Sequence, residues 1–368
     1  MKKKNILKTS LKIIGIALGI LILALLAYIV YLYASYYRIE DNQELVVEAP
    51  VDDTTTGAAA VLATDTEYSA VTYNIGFGAY LPDYSFFMDG GTSSWAESPE
   101  TVQYAINGAG ELVKSLDPDF ALIQEIDLDA TRSYHTDEYE MLRNILPEYT
   151  TVFAQNYDSA FLFYPFTQPH GSSRAGLGLF SKYPVSSALR RSFPISTSFS
   201  KFFDLDRCYS VSRIPVDNGK ELVIFNLHMS AYGNSDAIRK GQIEMLCNDM
   251  AKEYEAGNYV LCGGDFNHDL KASEEDTESC ESWAFPFPRS ELPEHFTFCL
   301  DLLTEEEQAA LWNSARNADM EYVPGVTYTV TLDGFIISDN IECLSYENVN
   351  TGYSYSDHDP VKVEFMLK

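Results

Sequence analysis

Basic residues are scarce in this chain. Its 368 residues carry 25 Lys and Arg against 54 Asp and Glu, a formal net charge of −29. Six of the basic residues fall in positions 1–38, which hold no acidic residue, so the remainder has 19 basic against 54 acidic residues, net −35. Such a body repels nucleic acid at long range unless cations or a local basic patch intervene. The six cysteines include no CxxC pair and no zinc-ligand spacing, which sets aside a structural zinc module. Cys262 sits within an apolar run, where a small buried hydrophobe is the simpler role. The spacing D-x-[DN]-x-[DN]-G of a calcium loop is also missing, which weakens any reading of the acidic surface as a calcium-loaded adhesive face.

Charge of either sign is absent from Ile13 to Tyr33, about the ~20 residues a helix needs to cross a bilayer. The lysines of "MKKKNILKTSLK" before it and acidic sequence after it orient the N-terminus towards the cytoplasm. A cleaved signal peptide is the competing reading. The apolar run is long for one, and bulky Tyr28, Tyr31, Tyr33, Tyr36 and Tyr37 stand where a small-residue cleavage site belongs. The expected organisation is a basic cytoplasmic tail (1–12), a single-pass cell-membrane anchor (13–33), an acidic stalk (34–67) and an extracytoplasmic body (68–368).

The stalk expectation rests on "EDNQELVVEAPVDDTTTGAAAVLATDTE", which is acidic, rich in Thr and Ala, and without sustained periodicity. Beyond it, short apolar runs alternate with helical stretches. Strands are predicted at 69–75, 120–126, 175–181, 208–216, 222–228, 259–266, 332–338 and 361–367, and helices at 101–116, 137–146, 234–256 and 304–315. Several strands are apolar almost throughout, as suits strands covered on both faces. With no internal repeat and no second linker, one α/β domain follows, a layered sandwich with helices outside.

The polar residues fall at the strand ends. Asn74 closes "TYN", Glu125 "LIQE", His228 "FNLH", and Asp265 with Asn267 "GGDFN"; Asp333 opens "DGFIIS", and Asp357 with His358 precede the last strand in "SDHDP". Singly each has a plain structural reading: a solvated strand end, a turn-former, an edge histidine. Together they sit where the loops of a layered sheet converge on one rim. Carboxylates and amides are hard oxygen ligands suited to Mg²⁺, Mn²⁺ or Ca²⁺. Imidazoles beside such an ion can donate to phosphate oxygens while a carboxylate orients or deprotonates water. The inventory points to metal-assisted hydrolysis of a phosphate ester.

The ordered set "TYNIG … LIQEID … LFSKYP … NLHM … GGDFN … LDGFIIS … SDHDPV" resembles the endonuclease/exonuclease/phosphatase superfamily over about residues 68–368. Its members include pancreatic deoxyribonuclease, abasic-site endonucleases, neutral sphingomyelinases and inositol-polyphosphate 5-phosphatases. The resemblance implies a four-layered α/β sandwich, two packed mixed β-sheets flanked by helices, and a Mg²⁺ or Mn²⁺ cofactor. It implies Asn74, Glu125 and Asp357 as metal ligands. Asp265 would orient or deprotonate the attacking water, and Asn267 would hydrogen-bond the phosphate and fix Asp265. His228 and His358 would bind phosphoryl oxygens, with Asp333 holding His358, and the reaction would proceed by direct water attack. Many relatives hold the phosphate with a Tyr or Arg between the second and fourth motifs; Tyr157 and Arg174 are the candidates here. Gly334 and Phe335 follow Asp333 where many relatives have an aromatic at once. His268 and Asp269 read as loop residues.

The substrate class stays open among a lipid headgroup, a nucleic acid and an inositol phosphate, with a diester preferred and no protein partner expected. Residues 174–220 hold eight basic residues against three acidic ones, a patch for an anionic substrate or merely a solvated face. "FLFYPF" (161–166) and "WAFPFP" (283–288) are either loop packing or an apolar lip for a lipid or a base. An inactive binding module of the same fold is the alternative from another class, although no motif residue is missing.

Overall fold

The computed structural model describes residues 2–52, 61–202, 205–231, 236–274 and 284–368. It divides into two units, residues 1–38 and Ile39–Lys368. The first is helix α1 (Lys2–Ser35), of which Ile6–Ser35 is long and apolar enough to cross a membrane.

The second unit holds the strands. In chain order they are β1 (Gln43–Glu44), β2 (Val47–Glu48), β3 (Glu67–Asn74), β4 (Phe120–Ala130), β5 (Thr150–Asp158), β6 (Ser173–Ser181), β7 (Ser187–Ser192) and β8 (Cys208–Pro215). Then come β9 (Glu221–His228), β10 (Tyr259–Asp265), β11 (Phe296–Phe298), β12 (Ala315–Arg316), β13 (Thr329–Val330), β14 (Asp333–Ser338), β15 (Ile341–Asn348) and β16 (Val361–Leu367). One seven-stranded sheet runs β1-β7-β8-β9-β10-β14-β11 and the other β15-β16-β3-β4-β6-β5-β2; β12 and β13 form a small hairpin. Each large sheet is mixed, with one parallel pair, β9–β10 and β3–β4 respectively.

The helices cover the outer faces. Helix α2 (Pro99–Leu116) starts with Ser98 as N-cap and Pro99 in its first turn, and it buries Val102, Ala105, Ile106, Ala109 and Val113. That three- and four-residue spacing is one apolar stripe. It packs on Tyr73 and Ile123 of the second sheet together with Leu142 of α3 (Glu138–Ile145). Helix α4 (Asp236–Glu255) brings Ile243, Leu246 and Met250 into the cluster that holds Val223 and Val260. Between the sheets, Leu122 and Leu179 share a core with Leu261 and Phe335. Gln124 Nε2 donates to Asn226 Oδ1 across that gap at 2.8 Å, and Asn226 Nδ2 to the Gly178 carbonyl at 2.9 Å. The result is the expected helix–sheet–sheet–helix sandwich.

All eight predicted strands are present. The helix expected over 304–315 stops earlier, as α5 (Glu305–Ala310), because Leu311 turns extended and Ser314 is drawn into the centre of the body. The stalk expected at 34–67 needs a larger correction, since the body begins at Ile39. Strand β1 pairs with β7 at an edge of the first sheet and β2 with β5 at an edge of the second. The buried Arg190 guanidinium donates to the carbonyls of Glu40 (3.2 Å), Asp206 (3.0 Å) and Gln155 (2.6 Å). Ser192 N donates to Asp41 at 2.8 Å, and Leu62 is fully buried beside Val216. Strands of two residues, held by backbone and charge, leave no periodic signal in the sequence.

Candidate active site

Register assembles the site. Asp265 at the end of β10 lies opposite His228 of β9 and opposite Asp333 of β14, so three neighbouring strands present the three side chains on one face. The preceding glycines make this close pairing possible. A Cβ on Gly264 (φ +144°) would lie 2.1 Å from the Leu227 carbonyl oxygen, and one on Gly263 would meet the Phe335 ring at 2.5 Å.

The second sheet supplies the opposite wall. Asn74 ends β3 opposite Gln124 of β4, and alternation would aim Glu125 away from it. The ladder instead shifts between Ile123 and Ile126, and Glu125 adopts φ +56°. Such a bulge re-aims one side chain at a cost of order 1 kcal/mol. Glu125 thereby accepts from Asn74 Nδ2 at 3.2 Å, and the same amide donates to Asp265 Oδ2 at 3.1 Å. His228 Nε2 stands 3.5 Å from Asp265 Oδ2 and 3.9 Å from Glu125 Oε1.

The loop before β16 closes the ring. Ser356 Oγ donates to the Asn74 carbonyl at 2.8 Å, Asp357 is half-buried beside it, and His358 Nε2 lies 3.9 Å from Asp265 Oδ2. His358 Nδ1 contacts Asp333 Oδ2 at 2.7 Å, and Ser314 Oγ donates to that same oxygen at 2.7 Å. Asn267 N donates to Asp265 Oδ1 at 2.8 Å, while its Nδ2 donates to the Met229 carbonyl.

The two imidazoles are driven to opposite states. Burial, with Arg207 and His358 adding to it, holds His228 well below its ordinary pKa. Burial also opposes charge on His358, but Asp333, Asp265 and Asp357 outweigh it and keep the ring protonated. Burial, reinforced by Asp333, pushes Asp265 up to about 7, and burial raises Asp357 as well.

The donor set fits a hard divalent cation. Glu125 and Asp265 both accept from the Asn74 amide, the Asp357 carboxylate is close enough to feel the Glu125 charge, and burial alone disfavours that much negative charge. Among the described residues, Asp265, Asp333 and His358 also bring ligand-type atoms within 4.8 Å of one another. Two of those three, Asp333 and His358, already satisfy each other.

A cleft of about 860 Å³ opens over these residues. Tyr157, expected at the phosphate, lines it; Arg174 does not, and instead makes an exposed ion pair with Asp129 at 3.1 Å. Three guanidiniums line the cleft, those of Arg132, Arg207 and Arg316, and among the described residues Arg207 has both Nε and Nη1 buried without a hydrogen-bond partner. Sequence reasoning placed Arg207 only in a general basic stretch, and it passed over Ser314, Arg132, Arg316 and His170. Arg132 is spent on Asp127 (Nη2–Oδ1 2.9 Å) and lies 3.7 Å over the Phe77 ring. His268 contacts the Phe266 carbonyl at 2.6 Å, and Asp269 accepts from Lys271 N, as expected of loop residues. Phe287 is buried in the core, whereas Trp283 lies outside the described residues.

Comparison with known proteins agrees with this fold. No curated protein matches the chain. Solved structures with the same fold include an endonuclease/exonuclease/phosphatase protein from Beutenbergia cavernae (14% identity, 82% of this chain and 72% of that one, TM-score 0.55). Another comes from Bacteroides vulgatus (17% identity, 83% and 100%, TM-score 0.53). A third is the human Nocturnin catalytic domain with bound sulfate (17% identity, 82% and 95%, TM-score 0.53). The profile described as Endonuclease/Exonuclease/phosphatase family matches residues 71–301. The chain belongs to the endonuclease/exonuclease/phosphatase family and has its phosphoesterase fold.

Proposed function

We propose that this is a membrane-anchored, extracytoplasmic phosphoester hydrolase, preferring diesters, that works with Mg²⁺ or Mn²⁺ and a directly attacking water. The observation that carries the reading is the position of Asp265 between a neutral imidazole and a charged one, His228 and His358. A carboxylate pushed up to about 7 takes a proton from water near neutral pH, and Asn267 N fixes its other oxygen. His228 donates one hydrogen bond to the phosphoryl group. His358, oriented by Asp333 and Ser314, donates a charged one as negative charge grows there. Arg207 and Tyr157 hold the phosphate, and the unpartnered nitrogens of Arg207 give it donors to spare.

Asn74, Glu125 and Asp357 would hold the cation, which would supply charge neutralisation at phosphoryl and leaving-group oxygens. The scheme uses water and no covalent nucleophile, so inversion at phosphorus is expected. The N-terminal helix retains the protein in the cell membrane with its N-terminus in the cytoplasm.

The test is the full chain in detergent with Mg²⁺ or Mn²⁺, given plasmid DNA, a choline phospholipid and an inositol phosphate. Asp265→Asn, whose amide takes no proton, is expected to lower turnover by several orders of magnitude with the thermal midpoint retained. Turnover by Asp265→Asn at the wild-type rate overturns the reading.

A further inference from the structure

The connection between β5 and β6 contains no Asp, Glu, Lys or Arg from Ser159 to Ser173, in a chain whose net charge is −29. It is a built hairpin. Leu162 and Gly171 exchange backbone hydrogen bonds at 2.9 and 3.0 Å, and His170 N donates to the Tyr164 carbonyl at 3.1 Å. Ser94 Oγ and Trp95 Nε1 pin its far side at the carbonyls of Gln168 and Pro169.

The base and the tip of this hairpin are treated oppositely. At the base, Leu162 and His170 are buried and line the catalytic cleft, and the exposed Tyr164 lines it from the tip. At the tip, Phe163 is 50% exposed and Phe166 86% exposed, and Met88 across the mouth is 54% exposed. Phe163 packs on Phe161 (ring centroids 4.8 Å) and Phe166 on Tyr164 (5.9 Å), so the exposed rings are grouped rather than scattered, as in patches that mark an interaction surface.

A second observation says which partner. Helix α1 ends at Ser35 and the folded body starts at Ile39. Three intervening residues span about 10 Å when fully extended, and Arg190 and β7 fasten the chain directly afterwards. A body on so short a tether works at the membrane surface. Aromatic side chains without nearby charge are the type that settles at a bilayer interface.

We propose that the exposed aromatic residues of 161–166 form a membrane-contacting lip that admits a lipid phosphoester to the cleft, with the lipid's apolar part left in the bilayer. The proposal rests on the hydrolase reading above and names the substrate class for that site. The lip contributes position and desolvation, while Asp265 and its neighbours contribute the chemistry.

The test uses the full chain reconstituted in vesicles of phosphatidylcholine, phosphatidylglycerol and sphingomyelin. Phe166→Trp is expected to show emission quenched by lipids brominated on their acyl chains, beyond the wild-type background. Phe163→Ser/Phe166→Ser is expected to lower headgroup release from the vesicles at least tenfold while leaving hydrolysis of soluble bis(p-nitrophenyl) phosphate unchanged. An unquenched tryptophan overturns the lip. Quenching with headgroup release unaltered in the double variant overturns its role in admitting substrate. Loss of single-stranded oligonucleotide cleavage in place of lipid cleavage identifies a base-stacking platform and also overturns the proposal. If Asp265→Asn leaves hydrolysis of the soluble ester unchanged, the hydrolase reading has failed, and the quenching result still decides the lip by itself.

Discussion

His170 illustrates what a buried residue reveals only through its neighbours. It is 6% exposed, packs against Phe86 and Phe87, and has no partner for Nδ1. Burial, with Arg132 beside it, pushes its pKa down to about 3. The unfolded chain's imidazole titrates near 6.5, so between about 6.5 and 3 the unfolded state binds the extra proton. Stability from this site is complete above about 6.5 and falls with pH below it, by up to about 1.4 kcal/mol per pH unit. Thermal midpoints between pH 7 and pH 5 should therefore drop less steeply for His170→Gln than for wild type. Equal slopes would show that the ring is solvated. At this scale the sequence disclosed the reactive set but not its supports. Asp265, His228 and Asp333 stand in motifs, whereas Ser314 is one serine among many until Asp333 is seen to accept from it. Arg174 and Arg207 look equivalent in the sequence, and only burial separates the surface ion pair from the guanidinium in the cleft.

At the scale of elements, legibility followed the kind of burial. Strands such as β9 and β10 are apolar on both faces and read as continuous runs. Strand β7, "SALRRS", is polar in sequence, yet Arg190 within it is wholly buried. Its guanidinium replaces an apolar core contact with hydrogen bonds to carbonyls from three separate segments, an arrangement no periodicity announces. The bulge at Glu125 was equally invisible, because Glu is not one of the residue types that mark a positive φ. Arg190→Met should consequently loosen the entering segment 39–48 more than any strand of the sandwich interior. A loss of about 3–5 kcal/mol follows from stranding several buried carbonyls. Limited proteolysis in that segment should accelerate well before global unfolding, by comparison of cleavage rates with the denaturation midpoint. Unchanged cleavage there would mean that β1 and β2 hold without it.

For the whole molecule, charge decides which phosphoesters arrive. Most of the basic stretch 174–220 is spent within the fold: Lys182 pairs with Asp117, Arg174 with Asp129, Arg191 with Asp249 and Arg213 with Glu253, Lys220 donates to the Ala256 carbonyl, and Lys201 lies over the Phe202 ring. Arg190 is buried and Arg207 is inside the cleft. What a long polyanion meets on approach is thus a net-negative body, and salt screens that repulsion over about 10 Å at 0.1 M. A protein that grips nucleic acid with a basic surface loses affinity steeply as salt rises. The opposite sign is expected here. With free Mg²⁺ fixed, kcat/KM for an oligonucleotide should rise several-fold from low to physiological NaCl, while that for bis(p-nitrophenyl) phosphate stays nearly flat. The comparison separates approach from chemistry, because both substrates would use the same Asp265 and only one of them brings a chain of charges up to the net-negative body. A steep fall for the oligonucleotide would instead locate a basic track on this surface and return nucleic acid to the front of the substrate classes.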